Sequence, residues 1–124
     1  MAGEKILLID DEDDIRTVAR MSLQSVGGFQ VIMANGGEEG VRMAAQESPD
    51  LILLDYMMPV LDGPATLKRL KELPECADIP VVFLTAKVQR ADLDQIDSLG
   101  AAGVLAKPFD PMKLPEQVRV FLNK

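Results

Sequence analysis

The chain has 124 residues, of which 48% are hydrophobic, and this is enough for one domain with a buried core. A net charge of -7, a pI near 4.5 and the lack of any basic run argue against binding to nucleic acid through clustered Lys and Arg. Cys76 is the only cysteine, which excludes an internal disulfide, and no stretch approaches the roughly 20 apolar residues of a membrane helix, so we expect a cytoplasmic protein.

Five short apolar runs alternate with stretches of helical periodicity, and this alternation indicates a repeated βα unit. The runs begin near Lys5, Phe29, Leu51, Pro80 and Gly103. The first and third runs are continuously apolar, as in central strands that are buried on both faces. Right-handed crossovers then predict a flavodoxin-like, doubly wound α/β fold with a five-stranded parallel sheet in the order 2-1-3-4-5 and five helices, two on one face and three on the other. The other doubly wound order normally needs more strands.

The first three helices are predicted from the spacing of apolar residues between the runs. Helix 1 carries apolar side chains at helical spacing from Ile15 to Val26 and should end at Gly27. Helix 2 is weaker because three glycines loosen its start, and Pro49 should end it. Helix 3 should begin at Pro64, which suits a first helical position, and end before Pro74.

The last two helices are less regular. Helix 4 has a thin apolar stripe, Leu93, Ile96 and Leu99, so we expect it to be the most mobile helix. Helix 5 should start near Pro115, because a proline would break the interior of a helix. Since this helix runs almost to the last residue, we expect residues 1–124 to form a single domain without an effector domain, whose output goes through a partner.

Polar residues follow four of the five apolar runs. Asp10 and Asp11 follow the first run, Asp55 follows the third, Thr85 the fourth and Lys107 the fifth. The carboxyl ends of parallel strands meet at one edge of a sheet, where such sheets bind ligands. We therefore expect three carboxylates, a hydroxyl and an ammonium to share one pocket.

Three carboxylates that lie close together repel one another unless a cation is supplied. The chain contains no histidine, so only oxygen ligands are available, and these favour Mg²⁺ or Mn²⁺ over Zn²⁺ or Cu²⁺. We assign Asp11 as a direct ligand, Asp10 as a ligand directly or through water, and one oxygen of Asp55 as the third ligand. The backbone carbonyl of Met57 is a candidate for the fourth.

Lys107 and Thr85 have no role in a metal site alone, but they suit an anion. An ammonium and a hydroxyl opposite a metal-bound carboxylate form a cradle for a phosphoryl group. Asp55 would then be the nucleophile, because a carboxylate can accept a phosphoryl group as an aspartyl phosphate. Lys107 would stabilise the charge of that group, and Thr85 would donate a hydrogen bond to one of its oxygens.

Together these motifs resemble a response-regulator receiver domain of two-component signalling, in particular a stand-alone receiver of the chemotaxis-regulator kind. The matching segments are Asp10-Asp11, residues 53–59 with Asp62-Gly63 behind them, residues 84–86, and residues 100–109 with Lys107-Pro108. The resemblance implies phosphotransfer to Asp55 from a histidine kinase or a histidine phosphotransfer protein, signalling through a downstream protein, and a cis Lys107-Pro108 bond. It also implies a monomer or a weak phosphorylation-dependent dimer, with no nucleic acid and no membrane as partner.

Some positions carry a finer prediction or depart from the family pattern. Most receivers have Tyr or Phe three residues before the lysine, whereas this chain has Val104, so the usual coupling of that ring to Thr85 is not expected. Met57 and Lys87 should flank the path of the water that hydrolyses the acyl phosphate. An apolar Met57 cannot orient this water, so we expect slow self-dephosphorylation. Ile15 with Pro108 and Phe109 is either core or an apolar patch at which a partner's histidine-bearing helix docks.

Three other functions share this fold or chemistry. An aspartyl-nucleophile phosphatase usually has a second carboxylate two residues after the nucleophile, where this chain has Met57. A flavin-binding electron carrier needs a phosphate-binding loop after the first strand, whereas the acidic run 10–14 would repel phosphate. A pseudo-receiver that has lost phosphorylation would not need all five site residues. We therefore predict a phosphoacceptor that catalyses its own phosphorylation and dephosphorylation and is not a turnover enzyme on an external substrate.

Overall fold

The structure is a computed structural model that describes residues 3–86 and 90–122. Within these ranges strands and helices alternate along the chain. Their bounds are β1 Lys5–Ile9, α1 Asp13–Met21, β2 Gln30–Ala34, α2 Gly37–Glu47, β3 Leu51–Asp55, α3 Gly63–Glu72, β4 Val81–Thr85, α4 Arg90–Ser98, β5 Gly103–Ala106 and α5 Leu114–Leu122. A π-helical segment, Ser22–Val26, continues α1 toward β2.

The five strands form one parallel sheet in the order β2-β1-β3-β4-β5. The predicted fold class and strand order are confirmed. In this register Asp55 at the end of β3 pairs with Leu84 of β4, and Thr85 pairs with Ala106 at the end of β5. The carboxyl ends of the three strands are therefore level with one another at one edge of the sheet.

Alternating side chains of the strands form one core on each face of the sheet. The first core includes Leu7, Ile9, Ile52, Leu54, Val81 and Phe83, covered by α2, α3 and α4 through Ala44, Leu67, Leu70 and Ile96. The second core includes Ile6, Leu8, Leu51, Leu53, Val82 and Leu84, covered by α1 and α5 through Ala19, Leu114 and Val118 and by Leu23 of the π-helical segment. Two helices thus pack on one face and three on the other, as the crossover rule predicts.

The apolar stripe predicted for helix 1 lies only partly in the core. Ala19 and Leu23 are buried, but Val18 and Val26 are exposed. A π-helical turn contains more residues than an α-helical turn, so the segment Ser22–Val26 carries Val26 off the face that Ala19 and Leu23 define, whereas Val18 lies on the exposed side of α1 itself. The expected periodicity therefore fails at the end of this helix.

Glycines shape α2 by packing as well as by propensity. Gly37 is the first residue of the helix and Gly40 lies within its first turn, both buried. A Cβ atom added at Gly40 would lie 2.4 Å from Ile9 Cδ1, which is far inside van der Waals contact. The missing side chain thus lets α2 approach β1, a reason that propensity alone does not provide.

The remaining helices begin and end close to the predicted positions. In α3 the side chain of Asp62 caps the helix, accepting a hydrogen bond from the Ala65 N–H at 2.9 Å, and Pro64 lies in the first turn. Of the apolar stripe predicted for helix 4, Ile96 is buried and Leu93 is half-buried, whereas Leu99 follows the last residue of α4 and is exposed. No helix within residues 3–86 and 90–122 is both long and apolar enough to cross a membrane.

Candidate functional site

The polar residues that follow the strands converge at the carboxyl edge of the sheet. Asp55 is the last residue of β3 and 3% exposed, and Asp10 follows β1 and is fully buried. Backbone hydrogen bonds fix these ends: the Asp10 N–H donates to the Ala34 carbonyl at 3.1 Å, and the Lys107 N–H donates to the Thr85 carbonyl at 2.9 Å. The sheet itself therefore sets the position of the site.

The Lys107 side chain brings the carboxylates together. Its Nζ lies 3.0 Å from Asp10 Oδ2 and 3.3 Å from Asp55 Oδ1. A third carboxylate, that of Glu12, lies 3.5 Å from the same nitrogen through Oε1. One ammonium thus contacts two buried carboxylates and one exposed carboxylate, and the peptide bond from Lys107 to Pro108 is cis, as the resemblance implies.

The charge balance of the site is unfavourable to the ionised form of Asp55. Burial, and then the neighbouring Asp10 carboxylate, raise the pKa of Asp55 from 3.8 to about 6, although Lys107 and the Met57 N–H act in the opposite direction. Burial acts to lower the pKa of Lys107, but the Asp10 and Asp55 carboxylates outweigh it and raise that pKa above 10.5. The site therefore has more negative charge than Lys107 alone can compensate.

The donor set fits a hard divalent cation. One carboxylate oxygen from each of Asp10, Asp11, Glu12 and Asp55 lies within 4.8 Å of the others. Asp10 Oδ2 is buried and, within the described ranges, accepts no hydrogen bond, although the Lys107 ammonium lies 3.0 Å away. Such an oxygen retains the capacity to bind a cation, and an all-oxygen set suits Mg²⁺ or Mn²⁺.

Local backbone hydrogen bonds orient the two buried carboxylates. Asp10 Oδ1 accepts a hydrogen bond from the Glu12 N–H at 2.9 Å, and Asp55 Oδ1 accepts one from the Met57 N–H at 3.2 Å. The Arg16 guanidinium donates to the Asp10 carbonyl at 2.6 Å. These bonds hold the loops after β1 and β3 in fixed positions relative to the strands.

The loop between β3 and α3 is closely packed behind Asp55. The Gly63 N–H donates to the Tyr56 carbonyl at 3.0 Å, and a Cβ added at Gly63 would lie 2.7 Å from the Asp55 carbonyl oxygen. The Tyr56 ring meets the Phe83 ring edge to face, with centroids 5.2 Å apart. In the same loop Val60 has a φ of 67° and is fully exposed, an unusual conformation for a β-branched residue.

The structure brings Asp10, Asp11 and Asp55 together with Lys107, and it places Thr85, buried, at the end of the strand between Asp55 and Lys107. Met57 follows Asp55 with an exposed side chain. The predicted role of Lys87 in shielding water lies outside the described residues. The roles assigned to all these residues remain predictions.

Two residues of the site were not predicted from the sequence. Glu12 contributes a fourth carboxylate and contacts Lys107 at 3.5 Å, and Arg16 binds the Asp10 carbonyl. The signal for Glu12 was its position directly after the Asp10-Asp11 pair, at the N-cap of α1. Arg16 follows Glu12 by one helical turn, which places it above the same loop.

Val104 lies on β5, beside the site but not in it. It pairs in register with Phe83 and packs partly buried against the first core. Together with Leu93, Ile96 and Asp97 it lines a cleft of about 310 Å³ beneath α4. The valine therefore leaves space between β5 and α4.

Comparison with known proteins identifies the family. The family model described as the response regulator receiver domain matches residues 6–119. The chain belongs to this family. The receiver is similar to the alkaline phosphatase synthesis transcriptional regulatory protein PhoP of Bacillus subtilis, at 38% identity over 98% of this chain and 50% of that protein. It is also similar to the DNA-binding dual master transcriptional regulator RpaA of Synechocystis sp., at 39% identity over 97% of this chain and 49% of that protein.

Solved structures show the same fold. The receiver matches the chemotaxis protein CheY4 of Vibrio cholerae with a TM-score of 0.90 and 29% identity, over 97% of this chain and 99% of that one. It matches the receiver domain of the sensor histidine kinase PA1611 of Pseudomonas aeruginosa PAO1 with a TM-score of 0.88 and 30% identity, over 99% of this chain and 100% of that one. The PA1611 domain carries a magnesium ion in its active site cleft. The chain spans about half the length of the curated relatives described above.

Proposed function

We propose that this receiver accepts a phosphoryl group on Asp55 from a histidine kinase or a histidine phosphotransfer protein. The observation that carries the proposal is the contact of Lys107 Nζ with Asp55 Oδ1 at 3.3 Å, in a pocket where Asp55 is almost fully buried. An ammonium beside a carboxylate nucleophile can stabilise the negative charge of an incoming phosphoryl group. Membership of the receiver family supports the same chemistry.

We propose Mg²⁺ or Mn²⁺ as the cofactor. The carboxylates of Asp10, Asp11 and Asp55, which belong to the acidic cluster, would hold it. Asp10 would bind directly or through water, and the backbone carbonyl of Met57 would be the fourth ligand. When bound, the ion supplies charge stabilisation to phosphoryl oxygens. The magnesium ion in the similar PA1611 domain and the buried Asp10 Oδ2 support this assignment.

In the proposed reaction an Asp55 carboxylate oxygen forms a bond to phosphorus while the bond from phosphorus to the donor's histidine nitrogen breaks. The electron pair of that bond stays with the imidazole, which takes up a proton from solvent, and Asp55 becomes an acyl phosphate. The Lys107 ammonium contacts the phosphoryl oxygens as their charge grows. The Thr85 hydroxyl donates a hydrogen bond to one of them.

We propose that this phosphorylation shifts a pre-existing conformational equilibrium and so changes affinity for a partner protein. Residues 1–124 would act in the cytoplasm as a monomer or a weak phosphorylation-dependent dimer, and not as a turnover enzyme. Their net charge of -7 favours contacts with proteins over contacts with nucleic acid. The relative RpaA is described as DNA-binding, but this chain matches only 49% of that protein.

We propose that the donor's histidine-bearing helix docks on an apolar patch formed by Ile15, Pro108 and Phe109. Pro108 is exposed, whereas Ile15 and Phe109 are half-buried, and Phe109 also packs against the second core. The patch is covalently adjacent to Lys107, so a helix seated there would bring its histidine near Asp55. Phe109 thus contributes to the core, as one alternative had it, while the exposed Pro108 remains available for docking, as the other had it.

The test is labelling of the purified chain by a small acyl phosphate in the presence of Mg²⁺. The wild type should form an acid-labile acyl phosphate that hydroxylamine also cleaves, and Asp55→Asn should abolish it. Lys107→Ala should slow labelling while Mg²⁺ still binds, because the metal ligands are unchanged. Lys113→Ala is the matched control, since Lys113 is an exposed lysine after β5, and it should label like the wild type. Equal labelling of the wild type and Asp55→Asn would refute the assignment, and a wild type that stays unlabelled would favour a pseudo-receiver.

A further inference from the structure

The three carboxylates that contact Lys107 differ in exposure. The side chains of Asp10 and Asp55 are 0% and 4% exposed, whereas that of Glu12 is 62% exposed. Glu12 therefore lies at the mouth of the pocket and the two aspartates lie in its interior. The ammonium lies between them, 3.5 Å from Glu12 Oε1.

Lys107 and a divalent cation would share the same two buried carboxylates. Lys107 Nζ contacts Asp10 Oδ2 at 3.0 Å and Asp55 Oδ1 at 3.3 Å, and both residues belong to the carboxylate cluster that fits a metal. Two cations at such short separation repel each other strongly. Withdrawal of the ammonium from these oxygens would relieve this repulsion when the site takes up a divalent cation.

The position of Glu12 suits it to bind the ammonium after its withdrawal. Its N–H donates to Asp10 Oδ1 at 2.9 Å, and its carbonyl accepts a hydrogen bond from the Arg16 N–H at 3.1 Å. The backbone of Glu12 is thus fixed at the start of α1, and only its side chain can turn. An anchored backbone and an exposed, flexible carboxylate allow Glu12 to follow Lys107 over a short distance.

We propose that Glu12 is a positioning residue that holds the Lys107 ammonium at the mouth of the pocket while a divalent cation occupies the aspartates. Lys107 then stays within reach of the group that Asp55 accepts and does not compete for the metal. This assignment rests on the proposed function, because it gives Lys107 a reason to remain near Asp55. It assigns to Glu12 no direct bond to the metal.

The test is a double-mutant cycle on Mg²⁺ affinity, measured by calorimetry for the wild type, Glu12→Gln, Lys107→Met and the double variant. Glu12→Gln should weaken Mg²⁺ binding about three- to tenfold when Lys107 is present. In the Lys107→Met background the loss should shrink to less than twofold, since no ammonium remains to be held. An equal loss in both backgrounds would show that Glu12 acts on the metal directly and would overturn the proposal.

Two further variants separate positioning from general electrostatics. Asp14→Asn removes one negative charge from the same acidic turn. Among the described residues the ion pairs of Lys107 are with Asp10, Glu12 and Asp55 and not with Asp14, so Mg²⁺ affinity should stay near that of the wild type. Glu12→Asp keeps the charge but shortens the side chain, and it should behave like Glu12→Gln. A Glu12→Asp variant that binds Mg²⁺ like the wild type would contradict the proposal.

A second readout follows the ammonium itself. The ¹⁵N and proton chemical shifts of the Lys107 ammonium should change on addition of Mg²⁺ in the wild type. In Glu12→Gln the Mg²⁺-bound signal should broaden or disappear, because the ammonium protons then exchange freely with solvent. An identical Mg²⁺-bound signal in both proteins would count against the assignment. These measurements need no phosphoryl transfer, so failure of Asp55 labelling would refute the proposed function without deciding the role of Glu12.

Discussion

Lys107 Nζ lies 3.3 Å from Asp55 Oδ1, yet the pKa of Asp55 is raised to about 6. Burial and the nearby Asp10 carboxylate together outweigh the attraction of the ammonium. Without a bound cation, the negative charge of Asp55 therefore destabilises the folded state. A bound cation would relieve this cost, and so would removal of the Asp55 charge.

The first prediction concerns stability of the metal-free protein. Because the folded-state pKa of Asp55 lies above 3.8, its contribution to stability is fully present below about pH 4 and is lost as the pH rises through about 6. Asp55→Asn should therefore raise the free energy of unfolding at pH 8 by about 1–3 kcal/mol, with little effect at pH 4. Urea unfolding in EDTA at both pH values measures this. A variant that is less stable than the wild type at pH 8 would contradict the expected charge balance.

The second prediction concerns the packing behind Asp55. A Cβ at Gly63 would lie 2.7 Å from both the Asp55 carbonyl oxygen and Tyr56 Cα, and these are backbone atoms that cannot turn away. Gly63→Ala should lower the free energy of unfolding by about 1–3 kcal/mol, the usual cost of overpacking. Gly36→Ala is the comparison, because its Cβ would meet nothing within 4 Å and it should cost only the smaller penalty of an alanine at the N-cap of α2. Equal effects of the two substitutions in urea unfolding would rule out the steric explanation.

The third prediction concerns Val60. Its φ of 67° is unfavourable for a β-branched side chain, and because the residue is 100% exposed, replacement removes no burial. Val60→Asn should raise the free energy of unfolding by about 1 kcal/mol, since Asn tolerates the left-handed region. Thermal and urea unfolding measure the gain. A Val60→Asn variant that is less stable than the wild type would contradict the prediction, because it would show that the backbone strain at Val60 is offset by another interaction.

The fourth prediction concerns the lifetime of the phosphorylated state. The Met57 side chain is 62% exposed next to Asp55 and cannot hydrogen-bond the water that attacks the acyl phosphate. Met57→Asn should therefore accelerate loss of the label several-fold at saturating Mg²⁺, because an amide can orient that water. Met112→Asn, at an equally apolar residue that is 68% exposed in the loop before α5, should leave the rate unchanged. Unchanged or slower loss of label from Met57→Asn would count against this role.

The sequence predicts the sheet and its functional edge because both follow from simple patterns. Continuous apolar runs mark buried parallel strands, and the residues after them must meet at one edge. Asp10, Asp55 and Lys107 could therefore be placed in one pocket without any knowledge of side-chain distances. The strand order followed from the handedness of crossovers, which does not depend on sequence detail.

Features that depend on close packing could not be predicted in this way. The role of Gly40 follows from the distance between α2 and Ile9, and the exposure of Val26 follows from a π-helical turn, neither of which apolar periodicity reveals. Glu12 was missed because an acidic residue at the start of a helix is usually explained by the helix dipole. Only the distance to Lys107 shows that it belongs to the site.

The last prediction concerns Val104 and the cleft of about 310 Å³ that it lines beneath α4. In α4 Ile96 is buried and Leu93 is half-buried, and Leu99, which follows the helix, is exposed, so few apolar side chains hold the described part of this helix on the sheet. Without an aromatic ring at position 104, movement of Thr85 toward a phosphoryl group draws little mass into the cleft. We therefore expect beryllofluoride to change the local stability of α4 more than the ordered structure of β5 and α5.

Amide exchange and backbone chemical shifts with and without beryllofluoride measure this difference. Val104→Tyr should slow amide exchange in α4 even without beryllofluoride, because a ring that enters the cleft adds apolar contacts to Ile96 and Leu93. Val104→Ile adds one methylene group with the same branching, so it is the control and should have a smaller effect. A large, ordered shift centred on Val104 and α5 in the wild type would refute the prediction. If Val104→Tyr leaves both α4 exchange and partner affinity unchanged, position 104 takes no part in the proposed conformational change.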